Sequence, residues 1–292
     1  MKPARFALER PRDMAAALAL LAQSPGAAKV MAGGQSLGPM LNLRLAEPEL
    51  IVDVSGVAEL RHAGRDGDAI VYGACVTHAD IEDGRAPDVG PNVMARVASG
   101  IAYRAVRNRG TLGGSLAHAD PAADWLSSLS ALGAEVEIVG PSGRRRLALP
   151  AFVTGALSTA LDQDEILVAV RVPVMKPSSR FGYVKHCRKV GEFAHAIGAV
   201  LIDPETDTGR AVFGAVEAPP VVVDDARVLF GGRIRPAFAA DFDVSAADGA
   251  LARAGMADAV DRHIHVEVLR RAALQAYTLL GSPQRPDVRS AA

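Results

Sequence analysis

The spacing of apolar positions changes along the chain, and the change divides it. Over the first part, residues 29–32 and 50–54 are short apolar runs of buried-strand character, while the run opened by Pro11 and reaching Leu21 and the run over 37–45 carry apolar residues at helical spacing. The order strand, helix, strand, loop, helix, strand over residues 1–60 predicts a small α/β lobe with parallel strands. Beyond it the period shortens to two. Residues 69–74, 134–139 and 166–172 alternate as strands of an antiparallel sheet do, with helical runs over 91–99 and 122–132 between them. Residues 173–179 hold two prolines, two serines and a lysine and read as a boundary. After it 180–189, 195–202 and 210–216 predict three strands, and two helical stretches start near Ser245 and Val266. In the last of these, Val268, Leu269, Ala272, Ala276, Leu279 and Leu280 share one face, the spacing of core packing. The expected organisation is a domain over 1–175, made of lobes 1–57 and 58–175, a second domain over 178–281, and a flexible tail over 282–292.

Two stretches depart from this regular patterning in the same way. Ala32-Gly33-Gly34-Gln35-Ser36-Leu37-Gly38 follows the strand at 29–32 and runs into a helical segment. Thr111-Leu112-Gly113-Gly114-Ser115 follows the basic run 104–109 and leads to Asp120 and Asp124, with Pro121 suited to a first helical turn. Adjacent glycines predict a sharp turn or a close approach of backbone to a ligand. N–H groups at a helix start, with hydroxyls beside them, favour an anion, and a nearby carboxylate suits a ribose hydroxyl. Brought together, the two loops predict a clamp for the diphosphate of a dinucleotide. A nicotinamide dehydrogenase would want GxGxxG after its first strand, and residues 33–38 do not have that spacing.

Composition narrows the classes further. A chain of 292 residues, 49% of them hydrophobic, can build two domains or one large one. No apolar run reaches the roughly 18 residues of a membrane-spanning helix. With 32 basic against 33 acidic side chains, the balance does not suit a nucleic-acid binder. Arg144-Arg145-Arg146 reads as a solvated strand edge past a hairpin turn. Cys75 and Cys187 are too few for an iron–sulfur cluster or a Cys-rich zinc site and suit a reducing cytoplasm. The run over 15–21 behind Lys2, Arg5 and Arg10 mimics a signal peptide, but Glu9 and Asp13 interrupt it and the glycine loop follows at once. His78-Ala79-Asp80 and His118-Ala119-Asp120 offer too few ligands for a metal, and His263 and His265 read as solvated.

The two glycine loops, taken with Phe152-Val153-Thr154-Gly155, Asp164-Glu165-Ile166-Leu167 ahead of Arg171-Val172-Pro173, and Arg188-Lys189-Val190-Gly191-Glu192-Phe193-Ala194, resemble the FAD-binding medium subunit of the molybdenum hydroxylases, the family of carbon monoxide and xanthine dehydrogenases. The resemblance implies an α+β chain. Its first part takes the FAD-binding fold of the vanillyl-alcohol oxidase and p-cresol methylhydroxylase type, a small α/β lobe plus an antiparallel lobe, and a three-stranded antiparallel sheet with helices follows. It implies extended FAD, with Ala32, Gly33, Gly34, Gln35, Ser36 and Leu37 and Thr111, Leu112, Gly113, Gly114 and Ser115 wrapping the diphosphate. Asp124 takes the ribose-binding position, Leu167 the position where backbone meets the flavin ring, and Lys185 that of the lysine near the ring. Phe193 stands where the carbon monoxide type often has Tyr, keeping a face for the isoalloxazine without the phenol's hydrogen bond, and Gln35 stands where that type typically has His.

By the same resemblance FAD is the only redox group in this chain, and no residue of it is catalytic or metal-ligating. The molybdenum cofactor and the iron–sulfur (2Fe-2S) clusters belong to a large and a small partner subunit in a dimer of heterotrimers, and an external acceptor takes the electrons. A stand-alone FAD-dependent oxidoreductase of the same fold, a carbon monoxide dehydrogenase medium subunit specifically, and a scaffold without cofactor stay open as alternatives. Lys185 reads either as a cation stabilising the reduced flavin or as a lysine at a strand edge, and Asp124 either as a ribose ligand or as a first-turn carboxylate of a helix.

Overall fold

The computed structural model describes residues 2–217 and 219–278. At the N-terminus β1 (Ala7–Glu9), β2 (Ala28–Met31) and β3 (Leu50–Asp53) form a parallel sheet in the order β1-β3-β2, as the alternating pattern predicts. Helix α1 (Met14–Gln23) links the first two strands and α2 (Leu37–Asn42) the next two. The first helix starts at Met14 rather than at Pro11, because the Asp13 carboxylate accepts the Ala16 N–H at 2.8 Å and so caps the helix there. Ala17, Leu21, Val52 and Val54 bury the lobe's inner side against Cys75, Ile166 and Val168 of the next layer.

The second layer is a five-stranded antiparallel sheet of β4 (Ala63–Asp66), β5 (Ala69–Gly73), β6 (Glu135–Gly140), β7 (Gly143–Ala148) and, after the small hairpin β8 (Val153–Gly155) and β9 (Ser158–Thr159), β10 (Ile166–Pro173), in the order β4-β5-β10-β6-β7. Among the helices beside it are α3 (His78–Glu82), α4 (Val93–Ser99), α5 (Arg104–Arg107), α6 (Leu112–His118), α7 (Asp124–Ala131) and α8 (Leu149–Phe152). The arginine triplet lies on the edge strand β7, where Arg144 and Arg146 pair with Glu137 and Arg145 with Glu165. Two expectations change here. The Gly113-Gly114 run is the first turn of α6, not a loop before a helix, since Thr111 accepts the Gly114 N–H and caps it. The next helix begins at Asp124, two residues later than the apolar pattern suggests, and Pro121 lies outside it.

The C-terminal region holds β11 (Arg180–His186), β12 (Ala196–Asp203), β13 (Thr208–Gly214) and β14 (Val221–Val223), with α9 (Val244–Arg253) and α10 (Ala259–Thr278). The three expected strands are joined by the short fourth at the edge, pairing Ala211–Phe213 with Val221–Val223. Helix α10 starts well before Val266, because Asp258 caps it by accepting the Val260 and Asp261 N–H groups. That start buries His265, which was expected to be solvated, with its Nδ1 2.8 Å from Asp261 O, while His263 stays exposed. Leu279, Leu280 and the tail lie outside the described residues.

Sequence boundary and packing boundary differ. Phe181, Tyr183, Ile197, Ala199 and Val212 share one core with Tyr72, Leu112, Leu116 and Trp125. The opposite face of the C-terminal sheet takes α10 at very short range: a Cβ on Gly182 would lie 1.9 Å from Ala272 O, and one on Gly198 would lie 2.6 Å from Leu269 Cα. Gly198→Ala is therefore expected to destabilise the protein by about 1–3 kcal/mol through overpacking, read as a lowered midpoint in urea unfolding.

Candidate functional site

The two glycine segments meet in space. A Cβ on Gly33 would fall 2.0 Å from Arg109 O and 2.9 Å from Gly110 Cα, so the backbones cross with no room for a side chain. The second segment is held in register by residues 74–78. Leu112 N donates to Val76 O at 3.0 Å, Gly113 N to Ala74 O at 3.0 Å, and His78 N to Gly110 O at 2.9 Å. Thr77 and Thr111 form an antiparallel bridge within the same contact. Gly114 N is taken by Thr111 Oγ1 at 3.1 Å.

The loops therefore differ chemically despite similar sequences. The amides of Leu112, Gly113 and Gly114 are consumed inside the protein, whereas those of Gly33, Gly34, Gln35 and Ser36 have no hydrogen-bond partner among the described residues. Gly34 holds its amide in place with φ 69°, a left-handed conformation that glycine adopts without strain. The Gly33 carbonyl accepts from Gln35 Nε2 and from Arg109 Nε, each at 3.3 Å. The first segment supplies free donors, and the second supplies the wall and the Thr111 and Ser115 hydroxyls.

Both segments line one cavity of about 820 Å³, within the range of small-molecule sites. Ala32, Gly33, Gly34, Gln35, Ser36, Leu37, Thr111, Gly113, Gly114, Ser115, Asp124, Leu167 and Phe193 all border it. Leu112 does not: it is fully buried in the core beneath. Leu167 sits where the pairing of β10 with β6 slips its register, and Phe193 stands on the 187–195 connection, 71% exposed at the cavity's edge.

Lys185 lies on the edge strand β11, yet its side chain is only 10% exposed, and it is not among the cavity-lining residues. Its Nζ lies 2.9 Å from Asp124 Oδ1 and donates to Gly100 O at 2.8 Å, behind the cavity wall. Tyr183 donates its hydroxyl to the same Asp124 Oδ1 at 2.6 Å, and burial, then the Asp124 charge, hold that phenol well above its usual range. Asp124 Oδ2 has no protein partner among the described residues. Two side chains of β11 thus orient a carboxylate that opens on the cavity from the first turn of α7. Cys75 also borders the cavity, but burial and the Asp53 charge push its thiol up to about 12, so it carries no thiolate near neutral pH. Among the described residues no group of three or more His, Cys, Asp or Glu is arranged to hold a metal ion.

Residues 4–175 match the family model described as the FAD binding domain in molybdopterin dehydrogenase. The chain belongs to the FAD-binding medium subunits of the molybdenum hydroxylases. It is 35% identical over 255 residues to the carbon monoxide dehydrogenase medium chain of Hydrogenophaga pseudoflava, covering 86% of this chain and 88% of that one. It is 37% identical to the nicotine 6-hydroxylase medium subunit of Paenarthrobacter nicotinovorans, covering 71% and 74%. The solved structure of carbon monoxide dehydrogenase from Hydrogenophaga pseudoflava superposes with a TM-score of 0.84 at 31% identity, over 95% of this chain and 99% of that one. As in the medium subunits it resembles, the cofactor of this oxidoreductase subunit is FAD, and the molybdenum cofactor and iron–sulfur clusters of these complexes lie in other subunits. The free amides at 33–36 and the contact at Gly33 that a Cβ would fill fit a flavin dinucleotide.

His78 was set aside in the sequence as half of a metal pair, yet it borders the flavin cavity. The signal was present: Thr77 and Asp80 form a capping box that makes His78 the first residue of a helix.

Two outcomes follow for this subunit. Gly33→Ala is expected to force the crossing apart and abolish FAD retention, while Gly38→Ala, whose Cβ meets nothing within 4 Å, keeps FAD as the parent does; the flavin-to-protein ratio of purified protein reads both. Lys185→Met leaves a buried carboxylate without its cation and is expected to cost about 3–5 kcal/mol in chemical unfolding, with much of that recovered in Asp124→Asn/Lys185→Met.

Proposed function

We propose that this chain is the flavin electron outlet of a multi-subunit molybdenum hydroxylase, taking electrons from iron–sulfur clusters in a small partner subunit and passing them to an external acceptor. The observation that carries the reading is the cavity itself: unpartnered amides at 33–36 and an oriented carboxylate at Asp124 open into one space that also runs to Leu167 and Phe193. Such a lining binds and orients a long anionic dinucleotide. When bound, FAD supplies the electron-transfer chemistry, and the protein's part is placement and tuning.

In this reading the amides of Gly33, Gly34, Gln35 and Ser36 hold the diphosphate, with the Thr111 and Ser115 hydroxyls opposite. Asp124 turns Oδ2 to a ribose hydroxyl, and Lys185 and Tyr183 are positioning residues that hold its other oxygen. The Leu167 backbone and the Phe193 ring bound the isoalloxazine end. Leu112 acts from the core, fixing the α6 wall. The assembly is a dimer of heterotrimers with a molybdenum-bearing large subunit. The free thiols of Cys75 and Cys187 suit a cytoplasmic setting, and among the described residues no helix is long and apolar enough to cross a membrane.

The substrate is chosen by the molybdenum subunit. Relatives at 35%, 32% and 37% identity carry names referring to carbon monoxide, caffeine and nicotine, so likeness favours no single substrate. Gln35 and Phe193, in place of the His and Tyr of the carbon monoxide type, weigh against that assignment.

Purified protein is expected to be yellow with a flavin absorption spectrum, to release FAD on denaturation, and to bring down a molybdenum-bearing and an iron–sulfur polypeptide from its source. A colourless chain that takes up no added FAD would overturn the reading.

A further inference from the structure

The unassigned group with the strongest geometry is His78. It is 5% exposed, borders the flavin cavity, and is the first residue of α3, fixed there by the reciprocal Thr77 and Asp80 capping bonds at 3.0 and 3.1 Å. Its ring is further tied from behind, where the fully buried Trp125 donates Nε1–H to His78 Nδ1 at 3.2 Å.

An indole nitrogen only donates, so Nδ1 must accept, and the ring proton resides on Nε2. Protonating Nδ1 as well would set two N–H groups against each other, and burial together with the Arg107 charge holds the imidazole down to about 4. The ring is a neutral Nε2–H donor. Among the described residues Nε2 has no hydrogen-bond partner. The ring is buried, but this nitrogen is not among the buried side-chain atoms that lack a partner, so it keeps accessible surface, and His78 borders the cavity, where an acceptor can reach it.

The place it points from is specific. A Cβ built on Gly110 would lie 3.0 Å from His78 Nε2, and Gly110 Cα is the atom that a Cβ on Gly33 would meet at 2.9 Å. The donor edge of the ring therefore lies at the crossing of the two glycine segments.

We propose that His78 is a cofactor-binding residue: its Nε2–H, held in one tautomer by Trp125, donates a hydrogen bond to an oxygen of bound FAD beside Gly110. This rests on the reading of the cavity as the flavin site. It adds a side-chain donor beside the second glycine segment, whose Leu112, Gly113 and Gly114 amides are consumed inside the protein. It also gives the buried Trp125 a role as a positioning residue beyond its packing.

The test uses the full chain freed of FAD and retitrated with FAD, following flavin fluorescence, alongside ¹⁵N NMR of the histidine rings. The parent is expected to show His78 as the Nε2–H tautomer, with that resonance moving when FAD is added. His78→Phe is expected to weaken FAD binding about 10-fold or more, while His78→Gln, whose amide N–H reaches the place of Nε2, stays within about 3-fold of the parent. If the parent binds no FAD, the flavin-site reading fails. If the parent binds FAD but His78→Phe binds it equally well, or the His78 resonance is the Nδ1–H tautomer or does not respond to FAD, the inference alone is overturned. The NMR arm needs only the parent, so it decides the matter even if His78→Phe does not fold.

Discussion

Gly33 lies so close to the Arg109–Gly110 peptide that hydrogen is the largest side chain the contact admits. That crossing joins the α/β lobe to the helical face of the antiparallel sheet, and the cavity opens beside it. The groups around the cavity meet at it: the four amides of 33–36, without partners among the described residues, on one side, the capped start of α6 on the other, and the ring of His78 at the junction. Segment 74–78 works as a template for the second loop, taking the amides of Leu112 and Gly113 to fix it against the sheet. Rigidity of the wall is obtained with the same N–H groups that would otherwise be ligands.

A second constraint ties the C-terminal region to the cavity wall. Asp124 is on α7, but the groups that orient it, Tyr183 and Lys185, are on β11 beyond the Pro-rich connection. A buried carboxylate without a cation would be costly, so the pair fixes the docking of the sheet on α7 as well as the direction of Oδ2. The shared core of Phe181, Tyr183, Ile197 and Trp125 adds non-directional burial to that bond. The connection in sequence is therefore a poor guide to mechanical independence: the C-terminal sheet supports a carboxylate of the cavity wall.

Cys75 is held as a neutral thiol and His78 as a neutral imidazole, both by burial first, so neither adds charge to the cavity wall. Along the glycine segments the cavity presents amides and hydroxyls, dipoles that stay constant over the pH range in which ionisable side chains titrate.

Much of this was legible in the residues themselves. Periodicity determined the parallel and antiparallel halves, since a change from helical spacing to strict alternation reports which faces of an element are buried. The glycine–hydroxyl stretches, with the matching segments around them, determined the family, because glycine is demanded where backbone meets backbone or ligand. Tertiary structure alone decided how those residues divide the work. The two glycine stretches look alike, yet the amides of 33–36 have no partner among the described residues while those of Leu112 and Gly113 are taken by Val76 and Ala74 and that of Gly114 by Thr111, and the pairing with 74–78 joins segments far apart in the chain. Lys185 sits behind Asp124 instead of among the cavity-lining residues, since the register of β11 against α7 sets its reach. His265 is buried because the Asp258 cap starts α10 early. His78, one of two similar His-Ala-Asp units, becomes a fixed donor through Trp125, a partner that no local pattern names.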